Sequence, residues 1–249
     1  MSESSLRFYS LVLALFFVAA ASMVQVFALV SVLTYILNAR LALYTLYFGA
    51  FLFGMGTGSY LSSQVKRTTK REISATRNNL TRFQMWLSGT AAILMPATCM
   101  LIAATEYLRR THTLLPQEVT SVLLWCWGIL PIAYLGYLTG RQLPMVAAIL
   151  KKRAAEDQVV RFLFGYDYAG ALVGAVLFLL VLFPQFGVFR SLYVSAFVSA
   201  LASLFVQGLL SFWNRQVFLR SAFFLLLSVL GLYYGTTLEI LMDNLVFGF

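Results

Sequence analysis

Acidic residues, histidine and cysteine are all scarce in this chain of 249 residues, which holds nine Asp and Glu, one His and two Cys. A single histidine, His112, and two separated cysteines, Cys99 and Cys126, make no metal-ligand set. They also leave a Ser-His-Asp or Cys-His nucleophile system without its parts. Charged residues of either sign are only 11% of the sequence, against 61% hydrophobic residues. That balance excludes an ordinary soluble domain. No cofactor is expected.

What the sequence has instead is apolar runs long enough to cross a bilayer, which takes roughly 20 residues for ~30 Å of hydrocarbon. Seven are expected, at Leu6–Leu37, Leu41–Ser63, Phe83–Tyr107, Val119–Leu138, Gly165–Phe183, Ser191–Phe212 and Val217–Gly235. The expected fold is thus all-α, a polytopic, transporter-like membrane helical bundle forming one integral membrane domain over residues 1–249. The first run is too long for a cleavable signal and should remain as an anchor. The fourth continues to Leu150, and a kink at Pro131 or Pro144, or an interfacial bend, is expected to absorb the excess length.

The basic residues supply an orientation. With the N-terminus inside, 14 of the 18 Lys and Arg fall on cytoplasmic segments, and only Arg40, Arg109, Arg110 and Arg190 fall outside. The expected location is therefore a bacterial-type inner membrane, N-terminus cytoplasmic and C-terminus outside. The net charge of +9 is then a topology signal. It carries neither the basic groove nor the interleaved aromatics of a nucleic-acid binder, so no nucleic-acid partner is expected. Lys66, Arg67, Lys70, Arg71, Lys151, Lys152 and Arg153 are expected against anionic lipid of the cytoplasmic leaflet, or as a docking patch for an acidic partner. Cys99 and Cys126 are expected as small buried residues.

Phe53-Gly54-Met55-Gly56-Thr57-Gly58-Ser59 imitates a phosphate-cradling loop. It lies inside an apolar span rather than between a strand and a helix, so close helix packing is the better account. Gly54 and Gly58 present one small face, Gly170 and Gly174 another, and the two are expected at the centre of the bundle.

Ionisable or amide side chains in such spans are costly and therefore candidates for function. Asp167, between Tyr166 and Tyr168, and Arg141 stand at the cytoplasmic ends of consecutive spans, and an ion pair between them is expected. Gln25 lies mid-span and Gln142 follows Arg141; both need partners when buried. The candidate polar site is thus Asp167, Arg141, Gln142, Gln25 and Tyr166.

Two blocks carry a family resemblance. Phe51-Leu52-Phe53-Gly54-Met55-Gly56-Thr57-Gly58-Ser59-Tyr60-Leu61, and Tyr166 to Ala175 followed by Phe183-Pro184-Gln185-Phe186-Gly187, resemble signatures of membrane-bound spermidine synthase-like proteins, which are polyamine aminopropyltransferase-like. The resemblance implies a transporter-like bundle that normally precedes a soluble aminopropyltransferase domain. No counterpart of that soluble domain is expected here, so the activity is not expected to carry over. Relatives commonly have glutamates where this chain has Gln25 and Gln142. The expected function is a non-catalytic membrane subunit or scaffold, with protein partner subunits or a second copy of itself. The alternatives are a small-molecule, polyamine-type transporter or channel, and the membrane half of a split aminopropyltransferase.

Overall fold

The computed structural model describes residues 3–36, 41–63, 70–111, 117–150, 156–209 and 214–247. Every one of these except Asn214 is helical. In chain order the helices are α1 (Glu3–Ile36), α2 (Leu41–Ser63), α3 (Lys70–Thr111), α4 (Gln117–Leu150), α5 (Glu156–Leu177), α6 (Phe183–Leu209) and α7 (Arg215–Phe247). Among the described residues, three stretches are long and apolar enough to cross a membrane: Phe8–Thr34, Val160–Leu209 and Arg215–Leu241.

The backbone of α4 stays helical through both Pro131 and Pro144. Between α5 and α6, where Pro184 to Arg190 reads as a connecting loop, the chain instead widens into a π-helical turn, Phe178–Leu182. It then runs on as helix with one interruption, at Gly187 (φ 71°, ψ −179°). A π-turn absorbs an extra residue without surrendering backbone hydrogen bonds. The positive φ falls on the residue type that tolerates it.

Helix directions follow from which residues touch. Gly170 and Gly174 of α5 face Phe16 and Ala20 of α1, so these two helices run parallel. Gly54 and Gly58 of α2 face Ala133 and Tyr137 of α4, again parallel. By contrast α3 and α6 are antiparallel, Ser88 reaching Ala196 and Ser203 reaching Thr81. An apolar cluster of Leu11, Leu15, Leu80, Met145, Leu150, Leu163 and Val206 gathers the beginnings of α1, α3 and α5 with the finishing ends of α4 and α6. Alternate helices therefore point alternate ways.

The centre belongs to α1, which packs on α4, α5 and α6 and buries most of its length. The two glycine faces pack on different helices. One pins α2 to α4 and the other pins α5 to α1. Partner helices contribute small residues of their own: Gly136 and Gly140 of α4 sit against the carbonyls of Phe51 and Met55. Each close approach needs a residue without Cβ, because an added carbon would enter the facing backbone.

Candidate functional site

The most polar part of the interior is written along one helix. Ser191, Ser195, Ser199, Ser203 and Gln207 of α6 recur every four residues, and all are buried. At 3.6 residues per turn a four-residue spacing keeps them on one slowly rotating stripe. Alanines at 196 and 200 keep the neighbouring surface thin, so α1 and α3 come close.

Side chains of those helices meet the stripe. Ser88 of α3 donates to the Ala196 carbonyl at 2.7 Å, and Ser203 donates to the Thr81 carbonyl at 3.1 Å. Ser203 also meets Ser221 of α7 at 3.1 Å. Gln84 lies between Thr81 and Ser88 on the same face of α3, which sets it opposite Ser199. From α1, the Gln25 amide nitrogen donates to the Ser199 hydroxyl at 3.5 Å. Two buried polar side chains, Gln25 and Ser199, thus meet half-way along α6, and the α3–α6 register sets the buried Gln84 near the same level. The carbonyl oxygens of Gln25 and Gln84 have no partner. Buried polar atoms are nearly always paired, so each orphan marks room for chemistry.

Other candidate residues are distributed around this layer. Arg141 of α4 lies with its guanidinium over the rings of Phe83, at 4.5 Å, and Tyr137, at 5.2 Å, and donates to the Tyr137 hydroxyl. Gln142 is buried and neither of its amide atoms has a partner. Gln207 is in the same condition, two turns along α6.

Asp167 is placed elsewhere. The α1–α5 register puts it about 12 residues, roughly 18 Å, from the level of Gln25. It is 8% exposed. No ion pair joins it to Arg141 among the described residues, and the expected pair is corrected accordingly. The guanidinium turns to α3 and its aromatic rings, while Asp167 rides on α5, which packs chiefly on α1. Tyr166 faces outward, beside an open pocket of about 310 Å³ formed with Arg161, Phe162, Gly165 and Ala169.

Two further expectations have outcomes. Cys126 is exposed and free rather than buried, and the side chain of Cys99 lies outside the described residues. Among the basic residues, Lys66, Arg67, Lys151, Lys152 and Arg153 lie outside the described residues, as do the side chains of Lys70 and Arg71. The residues missed by sequence reasoning are Gln84, Ser88, Ser199 and Ser203. The four-residue serine spacing was the signal available for α6.

Relatives match the same apolar region. Polyamine aminopropyltransferase 1 of Streptomyces coelicolor is 26% identical over 200 residues, which is 80% of this chain and 33% of that protein. Polyamine aminopropyltransferase 2 of Ralstonia nicotianae is 29% identical over 184 residues, 73% of this chain and 32% of its own length. The chain is similar to part of the polyamine aminopropyltransferases. A Leptospira interrogans polyamine aminopropyltransferase adds 22% identity over 209 residues, 82% of this chain and 37% of the relative. The chain spans about a third of the length of the polyamine aminopropyltransferases it matches. No protein-family model and no solved structure matches it.

Proposed function

We propose that this chain is a seven-span protein of a bacterial-type inner membrane, N-terminus cytoplasmic and C-terminus outside, acting as a non-catalytic scaffold that holds a partner subunit or a second copy of itself. The observation that carries the scaffold is the pair of glycine-backbone contacts, α2 on α4 and α5 on α1, which fix four helices against each other at backbone distance. Seven crossings are supported by the alternation of helix directions and by the 14-to-4 division of basic residues. A surface for a partner is supported by α5. While its glycines hold α1, its outer face carries Phe162, Phe164, Tyr166 and Tyr168 in the open, Phe164 stacked on Tyr168 at 5.9 Å.

The relatives' name suggests the process. A membrane component of an aminopropyltransferase system would keep a synthase close to the bilayer. Purification in mild detergent with chemical cross-linking and mass spectrometry tests the scaffold. A partner or a homo-oligomer cross-linked through α5 is expected, and a functional lone monomer overturns it.

A second reading, a polyamine-type transporter, is favoured by one observation: buried amides with unpartnered atoms stand half-way along the bundle. Transporters place polar groups at that depth. Vesicles that take up spermidine, and lose uptake with Asp167→Asn, would replace the scaffold with it.

A further inference from the structure

We infer that the outer face of α5 holds one anionic phospholipid, its phosphate on Arg161 and one acyl chain laid along Gly165 and Ala169. The lining of the open pocket of about 310 Å³ comes from α5 alone, as two neighbouring rows at four-residue spacing. Arg161, Gly165 and Ala169 form one row, Phe162 and Tyr166 the other. The first row falls from a long cation to bare backbone and then to a single methyl, and the two rings stand beside it as a wall. It is a trough with a charge at one end, about 12 Å long at 1.5 Å per residue. Nothing lies within 4 Å of a Cβ added at Gly165, so no described residue fills the floor. Phe162 is braced from α1 by an edge contact with Phe8, ring centroids 6.5 Å apart.

Depth and charge decide the occupant. Arg161 is the second residue of the apolar stretch Val160–Leu209, which sets its guanidinium at the level of lipid headgroups. The trough then runs within one leaflet, about 15 Å of hydrocarbon. Among the described residues nothing accepts a hydrogen bond from Arg161 or forms an ion pair with it. Lys151, Lys152 and Arg153 precede it in the sequence against Glu156 and Asp157, so this end of α5 is net basic. A phosphodiester brings a negative charge and oxygens that a guanidinium meets with paired N–H groups. The apolar floor takes the chain attached to it. A second helix is a poorer occupant, because it is about 10–12 Å across with its side chains and would meet the wall of rings before the floor. Phe164 and Tyr168 lie on the opposite flank of the exposed face and remain open to a partner subunit. Lipid binding therefore holds whether or not such a subunit exists.

The test is native mass spectrometry of the purified protein released from detergent, with phosphatidylglycerol or phosphatidylcholine of identical chains added. One retained phosphatidylglycerol per chain is expected, held at least ~3-fold more tightly than phosphatidylcholine, as one basic contact at a membrane surface supplies. Arg161→Gln is expected to remove that preference. Gly165→Leu, which fills the trough, is expected to weaken retention of both lipids. Each replaces an exposed residue and should fold; where Gly165→Leu does not, Ala169→Leu gives the same measurement. Arg220→Gln, at an exposed arginine near the start of α7, is the control for general attraction of anionic lipid and should leave retention unchanged. Equal retention of the two lipids overturns the proposal, as does an equal loss in the Arg161 and Arg220 variants. A dimer that dissociates with Gly165→Leu while lipid retention is unchanged also overturns it, and gives the trough to a second copy.

Discussion

Gly54 of α2 lies directly against the carbonyl oxygen of Ala133 on α4, and one turn later Gly58 meets the carbonyl of Tyr137 in the same way. These are contacts to backbone, which cannot swing aside as a side chain can. A carbon added at either position must push two helices apart. Gly54→Ala and Gly58→Ala are each expected to destabilise the protein by about 1–3 kcal/mol, the usual range for overpacking. Gly56, between them, has nothing within 4 Å of an added Cβ. Gly56→Ala should be neutral or stabilising by up to ~1 kcal/mol from helix propensity. Denaturant or thermal unfolding of the three variants in one detergent checks the contrast.

Arg141 rests on two aromatic rings rather than on a carboxylate. A double-mutant cycle with Phe83→Leu and Arg141→Met is expected to show coupling of about 0.5–2 kcal/mol. The corresponding cycle with Arg141→Met and Asp167→Asn is expected to show less than ~0.5 kcal/mol. Substantial Arg141–Asp167 coupling would contradict the placement of both residues.

Hydrogen bonds between helices should be measurable one at a time. Ser88→Ala removes the donor to Ala196 on α6 and is expected to cost about 0.6 kcal/mol, with ~1.7 as the upper bound seen for such bonds in membranes. Gln142→Leu should act in the opposite direction. Both amide atoms of Gln142 are buried without partners, so an apolar side chain of similar size is expected to leave Tm unchanged or raise it.

Gly187 turns the chain from the π-helical segment into the rest of α6 with φ of 71°. An added Cβ would also stand 2.5 Å from a carboxylate oxygen of Glu239 on α7. Gly187→Ala is therefore expected to lower stability by at least ~1–2 kcal/mol through the backbone term alone. Gly165→Ala, in open space, is the control for simply losing a glycine. Thermal unfolding of the two side by side separates strain from propensity.

Helical character was legible because apolar runs of this length leave few other solutions. Pairing was less legible. Glycines spaced by four announce a close approach but do not say to what, and here the partners are helices two and four places away in the chain. The Arg141–Asp167 expectation assumed that consecutive helices are neighbours along their whole length, whereas α4 lies chiefly on α2 and α5 on α1. Pro184 and Gly187 resemble loop formers. With the π-turn before them, the helix passes through one and breaks only at the other. Gln25 stood out as a lone amide in an apolar run. Ser88 and Ser199 did not, because serine is common on helix surfaces and only the facing helix reveals its purpose.

Gln25 and Ser199 are separated by 174 residues. A ribosome adding ~5–20 residues per second makes Gln25 wait roughly 9–35 s before the helix bearing Ser199 exists. For that interval the innermost helix of the finished protein has its amide uncovered. Biogenesis of this chain thus has a vulnerable period built into its topology, before the helix that covers Gln25 is made.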